Sequence, residues 1–287
     1  MHGTSFQTIV VDKMSLDIES ERHLDVSNHI ILVLDILGYS DQILENDVTQ
    51  MLQQFDSLVT TVKNDIAKMS DINYRIRWKM YSDNFLIFAP LPEDEDFLHL
   101  TIKGVLTAGA MLQLRLTTEY GFMSRGGCCF GNLYADDFYV FGSGLVNSHR
   151  LECRHREPTI SVTSDVVEKL MSRELGKYDP LESMILIKIT EDGGYIDYLR
   201  YVVYIASRTV MEGMYNLRID DVVHYHKIAY EKIICPRLTK SIETNKDEIG
   251  KVGSLKIKNR WFINYHNSVC EELCFPDEMI DIPDSDG

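Results

Sequence analysis

The chain has 287 residues, a formal net charge of −15, 45% hydrophobic residues and 25% charged residues. That fits one large domain or a domain with an appendage, and the negative balance disfavours non-specific attraction to nucleic acid, so a polyphosphate ligand needs local cations or metal. Six cysteines without a CxxC pair argue against a disulfide framework. With no basic-then-apolar leader and no stretch near the roughly 18 apolar residues of a span, the sequence predicts a soluble, cytoplasmic protein with neither membrane nor nucleic-acid partner.

Residues 1–28 read as a polar arm in which "FQTIVVD" could add an edge strand. "HIILVLDIL" (29–37) is a nearly continuous apolar run, as expected of a strand buried on both faces. From Asp41 to Lys68, apolar residues recur at helical spacing through Met51, Phe55, Leu58, Val62 and Ile66. "NYRIRWKM" and "NFLIFAP" then predict a hairpin closed by Pro90 and the acidic "PEDED". A second helix over 97–119 follows, then strands at 123–130 and 133–141 joined by a glycine-marked turn, and a helix from Ser143.

The order strand, helix, strand, strand, helix, strand predicts an α+β, ferredoxin-like βαββαβ core with helices on one face of an antiparallel sheet. Further strands are expected at 158–163, 183–190 and 194–205. From 208 the pattern turns helical, interrupted by a polar "TNKDEIGKVGS" linker. The expected division is thus an arm (1–28), a core domain (29–207), a C-terminal helical extension (208–275) and a disordered tail (276–287).

In this topology Asp35, near the end of the first strand, and Asp83, at the hairpin bend, can approach each other. Two carboxylates in a small volume repel unless a proton or cation neutralises them, and Mg²⁺ or Mn²⁺ with phosphate oxygens is one solution. Two ordinary loop acids with separate turns are the other. Gly38 lets the chain turn onto the next helix, whose first N–H groups would suit an anion. A plain strand-to-helix turn capped by Ser40 fits those residues equally well.

"LDILGYS" resembles the first-metal motif of class III nucleotidyl cyclases, and "KMYSDNFLIF" their second-metal hairpin. "SRGGCCFGNL" resembles their arginine-glycine strand, and "VFGSGLVNSHRLE" the segment entering the helix with a transition-state arginine. The resemblance spans roughly residues 30–155 in the family's order. It implies a homodimer with composite sites that cyclises a nucleoside triphosphate and releases pyrophosphate. Asp35 and Asp83 would hold two divalent ions, Mn²⁺ or Mg²⁺, with the Ile36 carbonyl completing one shell. Gly38 and Tyr39 would lie against the substrate, Arg125 would contact outer phosphates, and Arg150 would stabilise charge at the α-phosphate.

Lys79 stands at the base-reading lysine. Tyr139 stands where adenylyl cyclases carry aspartate or threonine, and the ribose-orienting asparagine falls at Val146, with Asn147 one residue out of register. These departures and the C-terminal "NRWFINYHN" resemble the bacterial pyrimidine cyclases of Pycsar anti-phage systems. They imply conversion of UTP to cyclic UMP, with CTP as the alternative, and a separate effector that reads the product. Arg75 and Arg77 are possible extra donors to the base.

Two-metal palm domains share the layout, but "YSDNF" lacks their GG[DE][DE]F turn. A degenerate domain that only binds nucleotide would be expected to have lost a metal carboxylate. His224, His226 and His266 have poor spacing for a metal site. Trp261, Phe262 and Tyr265 read as core or dimer contacts. Cys128 and Cys129 point to opposite sides of their strand.

Overall fold

The computed structural model describes residues 26–39, 47–69, 75–172, 180–207 and 219–282. The first strand, β1 (Ser27–Ile36), is apolar on both sides because it is covered on both sides. Ile30, Leu32, Leu34 and Ile36 face the main helical core, while Ile31 and Val33 join Leu86, Phe88 and Leu133 on the other face. Burying each such side chain contributes about 1.5–3 kcal/mol, enough to fix the strand's register, since a one-residue slip would exchange the two faces.

α1 (Val48–Met69) begins at Asp47, whose carboxylate accepts from the Thr49 N–H at 2.7 Å. It buries Met51, Phe55, Leu58, Val62 and Ile66, the predicted stripe. The hairpin is β2 (Arg77–Tyr81) and β3 (Asn84–Pro90). α2 (Glu95–Tyr120) is capped by Asp94 at its start and by left-handed Gly121 (φ 64°) at its end. Contrary to the sequence expectation, α2 is long and apolar enough to cross a membrane by length and composition. Its most apolar window is 78% buried, packed among the sheet, α1 and later helices.

β4 (Ser124–Ala135) runs unbroken through Gly131, where a turn was expected. The glycines serve close packing instead. A Cβ on Gly127 would lie 2.2 Å from the Ser148 carbonyl oxygen, and one on Gly131 would lie 2.5 Å from the Gly144 Cα. They form the bed for α3 (Ser143–Glu152), whose Ser148 hydroxyl donates to the Ile31 carbonyl at 3.0 Å. The chain reverses later, at Asp136–Tyr139, into the short β5 (Val140–Phe141).

After β6 (Ile160–Thr163) and α4 (Ser164–Met171), the strands expected at 183–190 and 194–205 are present only as 187–190 and 194–196, and helix takes 183–186 and 198–205. α5 (Pro180–Leu186) precedes β7 (Ile187–Thr190), and β8 (Gly193–Ile196) precedes α6 (Tyr198–Ser207). α6 buries six of its ten residues, and its less buried Arg200, Tyr204 and Ser207 recur at helical spacing, a period that its β-branched and aromatic residues mask.

The strand order is β2-β3-β1-β4-β6-β8-β7, with β5 paired to β4. Its first four members are antiparallel and form the ferredoxin-like βαββαβ unit; β4 and β6 are parallel. The fold is α+β as expected. Helices nevertheless cover both faces, α1 and α2 on one and α3 on the other.

The C-terminal helices are α7 (Ile219–Ala229), a five-residue π-turn at Tyr230–Ile234, α8 (Cys235–Thr244) and α9 (Ile249–Leu273). The polar linker shrinks to 245–248 because α9 begins within it. Val222, Val223, Tyr265 and Val269 share the main core with the sheet. The tail expected to be disordered from 276 is ordered to 282: Ile280 is buried, and its N–H and C=O both bond the Asn267 side chain at 2.8 Å. The arm to residue 25, including "FQTIVVD", and residues 283–287 lie outside the described residues.

Candidate active site

β1 and β3 pair so that Asp35 lies opposite Asn84, and the Ile36 N–H donates to the Asp83 carbonyl at 3.0 Å. The bend is tight enough to hold Ser82 at φ 56°. Asp35 and Asp83 thus sit on adjacent strand ends, and the Asn84 amide donates to Asp83 Oδ1 at 3.0 Å.

β4 adds Arg125, the register partner of Asp35. Its Nε lies 3.3 Å from Asp35 Oδ2 and 2.7 Å from Glu152 Oε1, so the guanidinium expected at the outer phosphates is engaged with two carboxylates. Glu152 holds it more closely. The 2.7 Å contact is ionic rather than directional, since Oε1 accepts no aligned hydrogen bond. Glu152 is buried on α3, and its second oxygen lies 2.8 Å from His149 Nδ1.

The result is a carboxylate cluster. Burial, then the Glu152 carboxylate, push Asp35 up to about 6; Arg125 pulls it down and Asp83 pushes it up again. Lys258 of α9 is within electrostatic reach of both Asp35 and Arg125, and burial holds its ammonium below the usual lysine range. Neither Glu152 nor Lys258 was singled out from sequence. Glu152 stood inside the quoted "SHRLE", but its burial comes from α3 seating on Gly127. Lys258 arrives from more than two hundred residues downstream, and no local pattern marks it.

Gly38 adopts φ +78°, and among the described residues nothing within 4 Å would obstruct a Cβ there, so on their side the turn is open. Tyr39 stacks at a tilt on Phe55, with centroids 6.0 Å apart; burial and the Asp83 charge raise its phenol. The Ser40 cap and the helix start at 41–46 lie outside the described residues.

The expected base-reading residues meet at another place. The Lys79 ammonium donates to the Asp136 carbonyl, and the Tyr139 N–H donates to Asp136 Oδ1 at 2.6 Å. One turn therefore holds both, beside an open groove of about 590 Å³ that Lys63, Trp78 and Asp137 also line. The Tyr139 ring is 62% exposed, beside Phe138 (79%) and Phe141 (78%).

α3 buries Gly144, Ser148, Leu151 and Glu152 and exposes Arg150, Val146 and Asn147. Arg150 thus lies on the solvent side of α3, opposite the face carrying Glu152. Arg77 donates to the Ala135 carbonyl at 3.3 Å, and Arg75 lies over the Phe97 ring at 5.4 Å. The three histidines do not converge: His226 and His266 form a buried pair, and His224 contacts Glu278. Trp261, Phe262 and Tyr265 pack in the core, and Cys128 and Cys129 face opposite sides of β4.

No protein-family model and no curated protein matches the chain. Among solved structures it is similar to the adenylyl cyclase CyaB from P. aeruginosa, at 13% identity over 54% of this chain and 87% of that one, with a TM-score of 0.37. The monomeric guanylyl cyclase domain of RhoGC from the aquatic fungus Blastocladiella emersonii shows 12% identity over 52% and 87%, with a TM-score of 0.40. The adenylate/guanylate cyclase/hydrolase from Silicibacter pomeroyi shows 18% identity over 60% and 94%, with a TM-score of 0.34. Likenesses this distant leave the chemistry to be argued from the residues.

Proposed function

We propose that this chain is a nucleotidyl cyclase that converts a nucleoside triphosphate to its 3′,5′-cyclic monophosphate and pyrophosphate. The observation that carries the reading is the pair Asp35 and Asp83 on adjacent strand ends, with Asp35 raised to about 6 by burial and neighbouring carboxylates. A site that gathers more acid than its cations offset fits divalent metal.

Asp35, Asp83 and the Ile36 carbonyl would hold Mn²⁺ or Mg²⁺, whose charge, when bound, eases loss of the 3′-hydroxyl proton and neutralises the triphosphate. The ribose 3′-oxygen bonds to the α-phosphorus, the bond to the bridging oxygen breaks, and pyrophosphate leaves. Glu152 keeps Arg125 beside Asp35, where the guanidinium faces the phosphates. The open turn at Gly38 and Tyr39 receives the substrate.

Two copies complete the machinery. The exposed Phe138, Tyr139, Phe141 and Val146 are apolar surface of the kind a homodimer covers. Arg150, on the exposed side of α3, and the Lys79–Tyr139 turn would serve the partner's site. Tyr139 beside Lys79 narrows the base site and supports a pyrimidine, with UTP as substrate and CTP as second choice. Cyclic UMP made in the cytoplasm would act through a separate effector in anti-phage defence.

Incubating the purified protein with Mn²⁺ and each of ATP, GTP, CTP and UTP, with mass detection of products, tests this. Cyclic UMP should dominate. Purine products alone would overturn the pyrimidine assignment, and no cyclic product from any of the four would overturn the cyclase reading.

A further inference from the structure

We infer that the C-terminal helices complete the nucleotide site, with Lys258 of α9 contacting anionic oxygens of the outer phosphates. This rests on the reading above that the site takes a nucleoside triphosphate. It adds a residue from outside the βαββαβ unit, on the helix that carries "NRWFINYHN".

Lys258 is partly buried, and among the described residues its ammonium has no hydrogen bond or ion pair. It is not held idle by a floppy segment. Phe262 and Ile263, one turn further along α9, are buried against Met123 and Leu37, which flank Arg125 and Asp35 in the chain. That packing fixes the lysine's Cα beside the sheet end.

Lys258 also lines a groove of about 280 Å³ that starts at Leu37 and Gly38, directly beyond Asp35. The two other cations of the groove are committed. Arg237 donates to the Tyr120 and Gly121 carbonyls at 3.1 and 3.2 Å and lies over Phe122, and Lys251 donates to Asn245 Oδ1 at 2.8 Å.

Charge balance says what the uncommitted ammonium is for. Asp35 is the anion that faces both Arg125 and Lys258. Once Asp35 binds metal, Arg125 retains Glu152 but Lys258 retains nothing, and a half-buried cation next to another cation calls for an anion. A phosphate entering over the open Gly38 turn supplies it, and the negative surface elsewhere on the chain does not compete inside the groove. An ammonium suits this role as a mobile point charge.

Calorimetric titration with inorganic pyrophosphate in the presence of Mg²⁺ tests the inference without relying on turnover. Lys258→Ala should weaken pyrophosphate binding about 10- to 100-fold, the range expected for loss of a charged hydrogen bond. Lys258→Arg should restore most of it, and Lys251→Ala, in the same groove, should leave it within about threefold. Matching thermal melts would show that the variants fold. In turnover, Lys258→Ala should raise KM for the triphosphate, while inhibition by the cyclic product, which lacks outer phosphates, stays unchanged. Wild-type pyrophosphate affinity in Lys258→Ala overturns the inference and leaves the cyclase reading standing. Weakened pyrophosphate binding in a protein that forms no cyclic nucleotide upholds the anion site and overturns the cyclase reading.

Discussion

The acidic sheet end and the polar seam under the C-terminal helices both bury titratable groups, but only one of them satisfies what it buries. In the seam, Tyr198 OH bonds His226 Nε2 at 2.8 Å, the His226 and His266 Nδ1 atoms meet at 2.9 Å, and His266 Nε2 meets the Glu278 carbonyl at 2.7 Å. One proton arrangement suits the whole chain: His266 Nε2–H donates to the carbonyl, His226 Nδ1–H donates to His266, and the Tyr198 hydroxyl donates to His226. At the sheet end Asp35 is raised to about 6, Glu152 Oε1 lacks an aligned donor, and Lys258 has no hydrogen-bond or ion-pair partner among the described residues. A closed network holds a structure together. An open one at a strand end is where a ligand has work to do.

The largest test of that contrast is to remove the carboxylates. Asp35→Asn or Asp83→Asn should lower turnover at least about a thousandfold, since each removes a charged metal donor at the reacting centre. Stability should move the other way for Asp35. Because its pKa is raised, ionising it above about 6 destabilises the fold, so the metal-free Asp35→Asn protein should melt at or above wild type at pH 7.5. A clearly lower melting temperature would mean that Asp35 serves packing rather than chemistry.

Glu152→Gln comes next. It keeps the shape of the buried side chain but loosens Arg125 from its 2.7 Å contact and removes a carboxylate that raises Asp35. Turnover should fall about 10- to 100-fold, the usual effect of losing a group that orients a site residue, and should do so chiefly through weaker triphosphate or metal binding. Unchanged kinetics would show that Arg125 needs no anchor.

The sheet end was legible because its determinants are local. The apolar run of β1, the hairpin around Ser82 and the alternation of Cys128 and Cys129 each show in a few consecutive residues, and β-pairing then brings Asp35 to Asp83. What stayed hidden depends on packing between distant segments. Gly131 looks like a turn between two strands until α3 is seen lying on Gly127 and Gly131. "YLRYVVYIAS" looks like a strand because it is short and rich in β-branched and aromatic residues, although its less buried Arg200, Tyr204 and Ser207 recur at helical spacing. Ile280 looks like part of a tail until Asn267 supplies both its backbone partners. Lys258 is one cation on a long polar helix, marked only by the residues it meets.

The smallest effect, and the one that separates the two regions most cleanly, is their opposite response to acid. Burial lowers the pKa of His226 and His266, so the unfolded chain binds protons that the native seam refuses. Their contribution is complete above about 6.5 and is lost as pH falls below it, toward the depressed native values. Asp35 has the reverse sign, with stability gained as pH falls through about 6. In wild type the two partly cancel. In Asp35→Asn the histidines lose that offset, and melting temperature should fall more steeply between pH 6.5 and 5 than in wild type, by a few degrees per unit at about 2–4 °C per kcal/mol. Adding His226→Phe should lower the neutral melting temperature, because Tyr198 and His266 lose their partner, yet flatten the acid slope. Parallel slopes in all three proteins would show that the seam does not exclude protons, and would remove the distinction between the two regions.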